Sequence, residues 1–434
     1  MMRSQKKDIK REAIDSYLNS FINYERYKYF PKKVNLNDYK NFLEKIGNPQ
    51  NKLSKSILIA GTNGKGSTAA ILSSILSEGV YNVGLFTSPH LFSYRERIKI
   101  NGQNITKRAF SQVINTLKPF LDEPYQKLHR TFFEVLTTVA FVHFEREKTD
   151  LNILEVGLGG RKDATNVVNP LISVITSVGF DHTRTLGRSL SEIAREKCGI
   201  IRKGGVVVSS IQHKNAMRVI EHTVRKREAL LYTTERYIKV KPRTIEEKGI
   251  KFSYRDEEYF SPLRGRFQLK NLSTALLAIE ILKKKGFTIA KRAVQKGLQK
   301  CVWDGRFDVV EKNPLIVLDG AHNPSAMREM VNSLVEIYPH KKIVVIFSCL
   351  SSKDKKAMAL ILERVADKII LTRINSERRA ELSDLRKVFR KKVFITDTII
   401  SAVKLSRNLS DNDTLILITG SIYLVAEAYE ALNL

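Results

Sequence analysis

Short apolar runs alternate along this chain with longer stretches in which apolar residues recur at helical spacing. Runs at 56–60, 83–86, 151–155, 171–175 and 206–209 predict strands, and stretches such as 107–117 and 131–146 predict helices between them. Short, continuously apolar strands separated by helices indicate a parallel sheet covered on both faces. Ahead of this series, residues 1–55 are polar, with Leu36, Tyr39, Phe42 and Leu43 spaced to form one helical face. Residues 236–262 change character: short extended segments, turns, Pro242 and Pro262 predict a small antiparallel excursion. Helices are expected at about 271–285 and 290–299. A second series starts near 306, with strands at 315–318, 342–347, 367–372, 392–395 and 414–418 and helices at 324–337 and 421–432. The fold class is therefore α/β: a mostly parallel sheet domain over 1–300, a linker at 301–306 and a smaller α/β domain over 307–434. Two such domains on a short connection place a ligand cleft between them.

Composition narrows the classes. With 43% apolar residues the 434-residue chain can build large cores, yet no apolar run approaches the ~18–20 residues a membrane helix needs. The stretch Met1 to Asp15 is charged, carries Asp8, Glu12 and Asp15, and lacks the apolar segment of a signal peptide. A cytoplasmic location without a membrane partner is expected. Cys198, Cys301 and Cys349 are few and scattered, which fits reduced thiols better than a disulfide framework or a zinc site. The net charge of +29 is the outlier. Its basic clusters at 225–227, 283–285, 353–356 and 390–392 are not interleaved with aromatics. That favours a Lys-rich background or attraction of anionic substrates over nucleic acid.

The strongest chemical signal is Gly61-Thr62-Asn63-Gly64-Lys65-Gly66-Ser67, between the first apolar run and a helical stretch. A strand, a glycine loop and a helix N-terminus aim backbone N–H groups at an anion. Lys65 is placed to reach outer phosphates of ATP, and Ser67 to approach the magnesium they carry. Gly66 is unusual, because the common phosphate loop has Ser or Thr directly after the Lys. Glu155 ends an apolar strand just before Gly157-Leu158-Gly159-Gly160; a carboxylate facing phosphates needs a cation such as magnesium. Ser88, in Ser88-Pro89-His90, follows the second strand and reads on its own as a turn residue. Asp163 and Asn166 either orient substrate or cap the next turn. Asp181-His182 reads as a strand end on the same edge as Lys65 and Glu155, and spacing alone leaves the role of His182 open. Lys197 reads as an ordinary helix lysine in 190–200. In the second half, Asp319 ends a strand where acids bind ribose hydroxyls. His322 follows, and Asn323 before Pro324 has the pattern of a helix cap.

In this order the motifs resemble the folylpolyglutamate synthase/dihydrofolate synthase family of the Mur ligase superfamily, over about Leu36 to Leu432. The resemblance rests on the Gly61–Ser67 loop, Thr87–Leu91, Phe132-Phe133-Glu134, Leu154 to Asn166, Asp181-His182 and Glu196 to Ile200. It continues through Asp304-Gly305-Arg306, Asp319 to Pro324 and Thr419-Gly420-Ser421. Gly66 before Ser67 points to the folate branch. The resemblance implies a P-loop-type ATPase domain and a Rossmann-like C-terminal domain. It implies that Gly61 to Ser67, Asn271, Arg306 and Asp319 hold ATP, and that Ser67, Ser88, Glu155 and His182 hold magnesium. It further implies that Lys197 is carbamylated and holds a second magnesium, which turns a cation that Lys65 and metal ions would repel into an anion. Ser88, His90, Phe132, Phe133, Glu134, Lys162, Asp163, Ala164 and Ser421 would line the substrate site, with Lys65, Lys197 and His322 as the catalytic groups. Three positions depart from the family pattern: Phe267 in place of a His, Leu272 in place of a small residue, and Lys162 in place of a Leu.

The activity implied is ATP-dependent amide formation through an acyl phosphate. L-Glutamate is the amine, and dihydropteroate or a reduced folate is the acid. A monomer without nucleic acid is expected. A nucleic-acid-stimulated ATPase is the rival from another class, and it lacks an acidic Walker B-type cluster beyond Glu155.

Overall fold

The structure, a computed structural model, describes residues 14–26 and 35–434. The reading of Met1 to Asp15 falls almost wholly outside them. The first sheet contains β1 (Lys55–Ala60), β2 (Val83–Phe86), β3 (Ile98–Ile100), β4 (Gln103–Asn104), β5 (Leu151–Glu155), β6 (Ile172–Ile175), β7 (Val206–Ser209) and β8 (Leu230–Thr233). Its order is β4-β3-β2-β5-β1-β6-β7-β8. From β2 to β8 the pairs are parallel, and β3 and β4 add an antiparallel edge.

Burial on both faces explains the continuous apolar runs. In β1, Ile57 and Ile59 enter one core with the helices Lys65–Ser77 and Gln268–Lys284, while Leu58 and Ala60 enter another with Leu36–Lys45 and Phe132–Arg146. Alternate residues of one strand thus feed two cores, as the period of two requires. The face predicted for Tyr39, Phe42 and Leu43 is buried there.

The expected excursion is a three-stranded antiparallel sheet of β9 (Lys241–Glu246), β10 (Gly249–Tyr254) and β11 (Glu257–Ser261), ordered β11-β10-β9. Pro242 sits on the edge strand β9 beside a shift in register with β10, a place where proline is tolerated. The last sheet holds β12 (Asp308–Lys312), β13 (Leu315–Asp319), β14 (Lys342–Phe347), β15 (Lys368–Leu371), β16 (Phe394–Ile395) and β17 (Thr414–Thr419). Its order is β12-β13-β17-β14-β15-β16, parallel except for the β12–β13 hairpin. β13 repeats the logic of β1: Leu315 and Val317 enter one core, Ile316 and Leu318 the opposite one.

Two sequence expectations are corrected. Asp181-His182 does not end a strand: β6 stops at Ile175, and His182, with φ 49°, opens the short helix Thr183–Leu186. The expected strand 392–395 shrinks to Phe394–Ile395 at the sheet edge. The strands β3, β4, β8 and β12 were not foreseen, because they are short strands at or next to the sheet edges, with mixed polar faces.

Candidate active site

The carboxyl ends of β1, β2, β5, β6, β13 and β17 give onto one cavity of about 1200 Å3. Such strand ends are the usual ligand side of parallel sheets. The loop 61–64 leaves β1 and feeds the helix Lys65–Ser77, whose N-terminus has no side-chain cap. Its first-turn N–H groups therefore remain available to an anion. Gly64 has φ +84°, and a Cβ there would stand 2.1 Å from Asn271 Oδ1. A Cβ on Gly66 would lie 2.8 Å from the Trp303 ring, so the indole takes the space that a side chain after Lys65 would need.

Lys65 donates to the Thr62 carbonyl at 3.4 Å, and its Nζ lies 4.0 Å from Glu155 Oε1. Glu155 is buried at the end of β5 and accepts the Ser88 N–H on Oε2 at 3.0 Å. Burial pushes its carboxyl pKa up, against the pull of Lys65. Lys197, at the end of the helix Leu190–Lys197, is only 4% exposed and donates to the Gly61 carbonyl at 2.7 Å. Burial, then Lys65, push its pKa down to about 7. The sequence alone suggests nothing special about this lysine.

The glycine-rich loop is braced from within. Asp163 accepts from the Leu158 N–H at 2.9 Å, the Thr165 N–H at 3.0 Å and the Thr165 hydroxyl at 2.6 Å, while its neighbours Lys162 and Ala164 also line the cavity. Asn166 donates to the Arg161 and Gly199 carbonyls, which is a structural role. Phe133 and Glu134 line the cavity, with Glu134 completing a capping box with Thr131. Phe132 and His90 are absent from the lining. Phe132 is buried in the core, with the Arg97 guanidinium 5.3 Å over its ring. His90 accepts from Arg97 Nε at 2.8 Å, and burial, with Arg97, pushes its pKa down to about 3.

From the other sheet, Asp319 is buried and accepts the Phe307 and Ala321 N–H groups, each at 2.8 Å. Arg306, Asn271 and Ser421 line the same cavity. His322 faces two acceptors: its Nδ1 meets the Gly320 carbonyl at 2.9 Å and its Nε2 meets Asp181 Oδ2 at 3.2 Å. Burial and Lys353 push the ring's pKa down, while Asp181 and that carbonyl hold it up. Asn323 caps the helix Pro324–Ile337, as its pattern indicates, and also donates to Asn63 Oδ1 at 2.8 Å and Asp181 Oδ2 at 3.3 Å.

Asp181 is thus a hub between the halves. It also takes a 2.6 Å ion pair from Lys353. Burial opposes its ionisation, but His322 and Lys353 hold the carboxyl well below the usual range. Sequence reasoning missed Lys353, Arg378, Tyr24 and Glu25, all of which line the cavity. Lys353 was hidden in a basic run. Tyr24 and Glu25 lie far from any motif, and their carbonyls accept from Arg378 at 2.8 and 3.2 Å.

The donor chemistry suits a hard cation. Among the described residues no group of three His, Cys, Asp or Glu side chains could hold a metal alone. Glu155 is instead a buried carboxylate beside the phosphate loop, with the Ser67 and Ser88 hydroxyls on the same cavity wall. A magnesium ion completed by phosphate oxygens and water fits that set.

Two family models match: the Mur ligase middle domain over residues 59–279 and the Mur ligase glutamate ligase domain over 305–422. The dihydrofolate synthase/folylpolyglutamate synthase of Bacillus subtilis is 33% identical over 416 residues, covering 93% of this chain and 96% of that protein. The crystal structure of Mycobacterium tuberculosis folylpolyglutamate synthase complexed with ADP and AMPPCP superposes with a TM-score of 0.86 at 29% identity, over 92% of this chain and 95% of the other. A bifunctional folylpolyglutamate synthase/dihydrofolate synthase with Mn, AMPPNP and L-glutamate bound gives 0.82 at 30% identity, over 93% and 95%.

Proposed function

The chain belongs to the dihydrofolate synthase/folylpolyglutamate synthase family of Mur ligases, and from that premise we propose how its cavity carries out the ligation. The protein is an ATP-dependent ligase that joins L-glutamate to a folate-type carboxylate, and it uses a divalent metal. A carboxylate is a poor electrophile. Transfer of the γ-phosphoryl group of ATP to it gives an acyl phosphate and ADP. The glutamate amine then attacks the acyl carbon, the amide bond forms, and phosphate leaves.

The N–H groups of Gly61 to Ser67 grip the phosphates, and Lys65 offsets charge on the transferring group. Asn271, Arg306 and Asp319 hold the nucleoside. Both Asp319 oxygens are held by backbone donors, which fixes the orientation of the carboxylate. Ser67, Ser88, Glu155 and His182 would hold one magnesium, and carbamylated Lys197 a second. When bound, these ions neutralise phosphate charge and polarise the reacting oxygens. Lys197 suits carbamylation because a pKa of about 7 leaves much of its amine uncharged at neutrality. That amine adds to carbon dioxide, a proton goes to water, and the product is an anion. His322 would sit beside the reacting carboxylate, with Asp181 fixing its ring. Phe133, Glu134 and Lys162 to Ala164 would take the pterin end, which belongs to dihydropteroate or a reduced folate. Ser421 and the residues near it would take glutamate. The cavity walls come from both halves of the molecule, so their closure would keep water from the acyl phosphate.

The observation that carries this reading is the single cavity joining Lys65, Glu155 and Lys197 to Arg306, Asp319 and His322. The test is purified protein with ATP, magnesium and glutamate, given dihydropteroate or tetrahydrofolate in turn. The expected product, by mass spectrometry, is the acceptor plus one or more glutamates, with one ADP per addition. ATP turnover independent of both acceptors would sink the reading.

A further inference from the structure

A second concavity, of about 750 Å3, lies outside the active cavity between the helices Leu190–Lys197 and Lys214–Lys226. Its lining holds six Lys or Arg side chains against one carboxylate, Glu228. That carboxylate is engaged by Lys203 at 3.7 Å, and Arg161 is matched by Glu196 at 3.2 Å. Among the described residues, Arg195, Arg218, Lys226 and Arg227 form no ion pair within 4 Å, although Arg195 acts on the Glu192 carboxylate one turn away. Lys226 and Arg195 sit in the last turns of their helices, where the macrodipole favours a cation. The dipole does not account for Arg218 in mid-helix. Nor does it account for the convergence of all these charges on one hollow. Arg218 and Lys226 stand two turns apart on one helix face, with His222 between them, and all three line the groove.

The groove stands back to back with the active cavity. Arg161 and Arg195 line the groove, while the next residues, Lys162 and Glu196, line the cavity. On the cavity side, Arg184 is a further cation without a carboxylate partner among the described residues. The lining contains no Phe, Tyr or Trp ring and one aliphatic side chain, Val219. Nucleobases, which bind by stacking, find only the small His222 ring there. A flexible chain of carboxylates needs none.

We propose that this groove binds the anionic γ-glutamyl tail of the folate acceptor or product, with Arg195, Arg218 and Lys226 pairing with its α-carboxylates. The proposal rests on the ligase reading above, and each ligation adds one such carboxylate. The acceptor's terminal carboxylate must reach the reaction centre in the cavity, so a long tail has to leave over the wall that carries Arg161 and Arg184. The groove then matters more as the tail lengthens.

The experiment compares an acceptor bearing one glutamate with one bearing five, for the wild type and for the double variant Arg195→Glu/Arg218→Glu. The variant is expected to raise KM for the five-glutamate acceptor about tenfold, two lost surface pairs of ordinary strength plus repulsion, with kcat and KM for the one-glutamate acceptor unchanged. The charge-keeping variant Arg195→Lys/Arg218→Lys should stay near wild type, which separates charge from packing. Free fluorescein-labelled penta-γ-glutamate should bind the wild type in low salt and lose affinity in the double variant. A KM for the five-glutamate acceptor that is the same in the double variant as in the wild type would overturn the proposal. So would an RNA oligonucleotide that displaces the labelled peptide more strongly than unlabelled penta-γ-glutamate does. Absence of turnover with the one-glutamate acceptor in the wild type would instead overturn the ligase reading.

Discussion

The two parallel sheets offer the cavity opposite kinds of strand tip. The first presents buried Glu155 and Lys197 and half-buried Lys65, ionisable groups whose partners are few: a 4.0 Å ion pair, one N–H and two carbonyls. The second presents Asp319, Asn323 and Ser421, whose side chains already cap backbone N–H groups. Buried charge without full compensation is costly, and it persists where a ligand completes it. A braced carboxylate or amide recognises shape and barely changes on binding. The first sheet is therefore the chemical half, and the second is the positioning half.

The largest test of that contrast is Lys65→Ala. Turnover should fall about 10³-fold, the scale of losing a main electrostatic stabiliser. The fold should survive, because Glu155, pushed toward protonation by burial, can take up a proton once its partner is gone. Circular dichroism and thermal melting check the fold. Activity within tenfold of wild type would show that the first sheet's charges are structural.

Lys197→Met should follow, with a loss of about 10²-fold, typical of removing a group that orders a metal site. Independently of activity, protein exchanged with 13C-bicarbonate should show a carbamate carbonyl resonance in the wild type only. The amine also leaves a signature in stability when bicarbonate is absent. Its folded pKa of about 7 lies below that of an exposed lysine, so between the two the unfolded chain holds a proton that the native state lacks. Stability therefore rises with pH through that window. From pH 7 to 9.5 the wild type should gain about 2–3 kcal/mol over Lys197→Met in urea titrations. A parallel pair of curves would refute the buried amine.

Asp181→Asn tests the joint between the halves. It removes the partner of Lys353 and His322 together and should cost about 3–5 kcal/mol, the scale of breaking one side of a buried pair. Because the folded carboxyl is held below its ordinary range, its contribution is complete above about pH 4 and fades as the pH falls further. Acid unfolding of the variant should be correspondingly less steep. Unchanged stability at pH 7 would mean that the hub does not hold the two sheets together.

Legibility in the sequence follows the same division. The first sheet's chemistry was readable because glycines, a lysine and a strand-end glutamate lie within short motifs, and the strands around them are continuously apolar. Asn323 was readable as a cap from its neighbour Pro324. Lys353, Arg378 and Glu25 were not, because they reach the cavity through tertiary packing between segments hundreds of residues apart. Lys197 was readable only through the family resemblance, since its depressed pKa comes from burial that no local pattern reveals. His90 and Phe132 sit inside genuine motifs yet pack against Arg97, a role set by tertiary contacts and not by the local sequence.

Gly66→Ala gives the smallest effect and the finest discrimination. Gly66 has ordinary helical backbone, so the substitution on its own should gain up to about 1 kcal/mol of helix propensity. The new methyl would lie 2.8 Å from the Trp303 ring, with two further ring atoms at 3.2 Å. Overpacking of that kind costs about 1–3 kcal/mol, so crowding should win narrowly. The ring has to move, and with it the segment that carries Arg306 to the nucleotide. KM for ATP should rise several-fold with kcat nearly kept, and the fluorescence of the chain's one tryptophan should shift. The double variant Gly66→Ala/Trp303→Ala separates the two causes. If crowding is responsible, the ATP defect of Gly66→Ala should largely vanish when Trp303 is already absent. If it persists undiminished, the glycine serves the approach of phosphate to the backbone and not the packing of the indole.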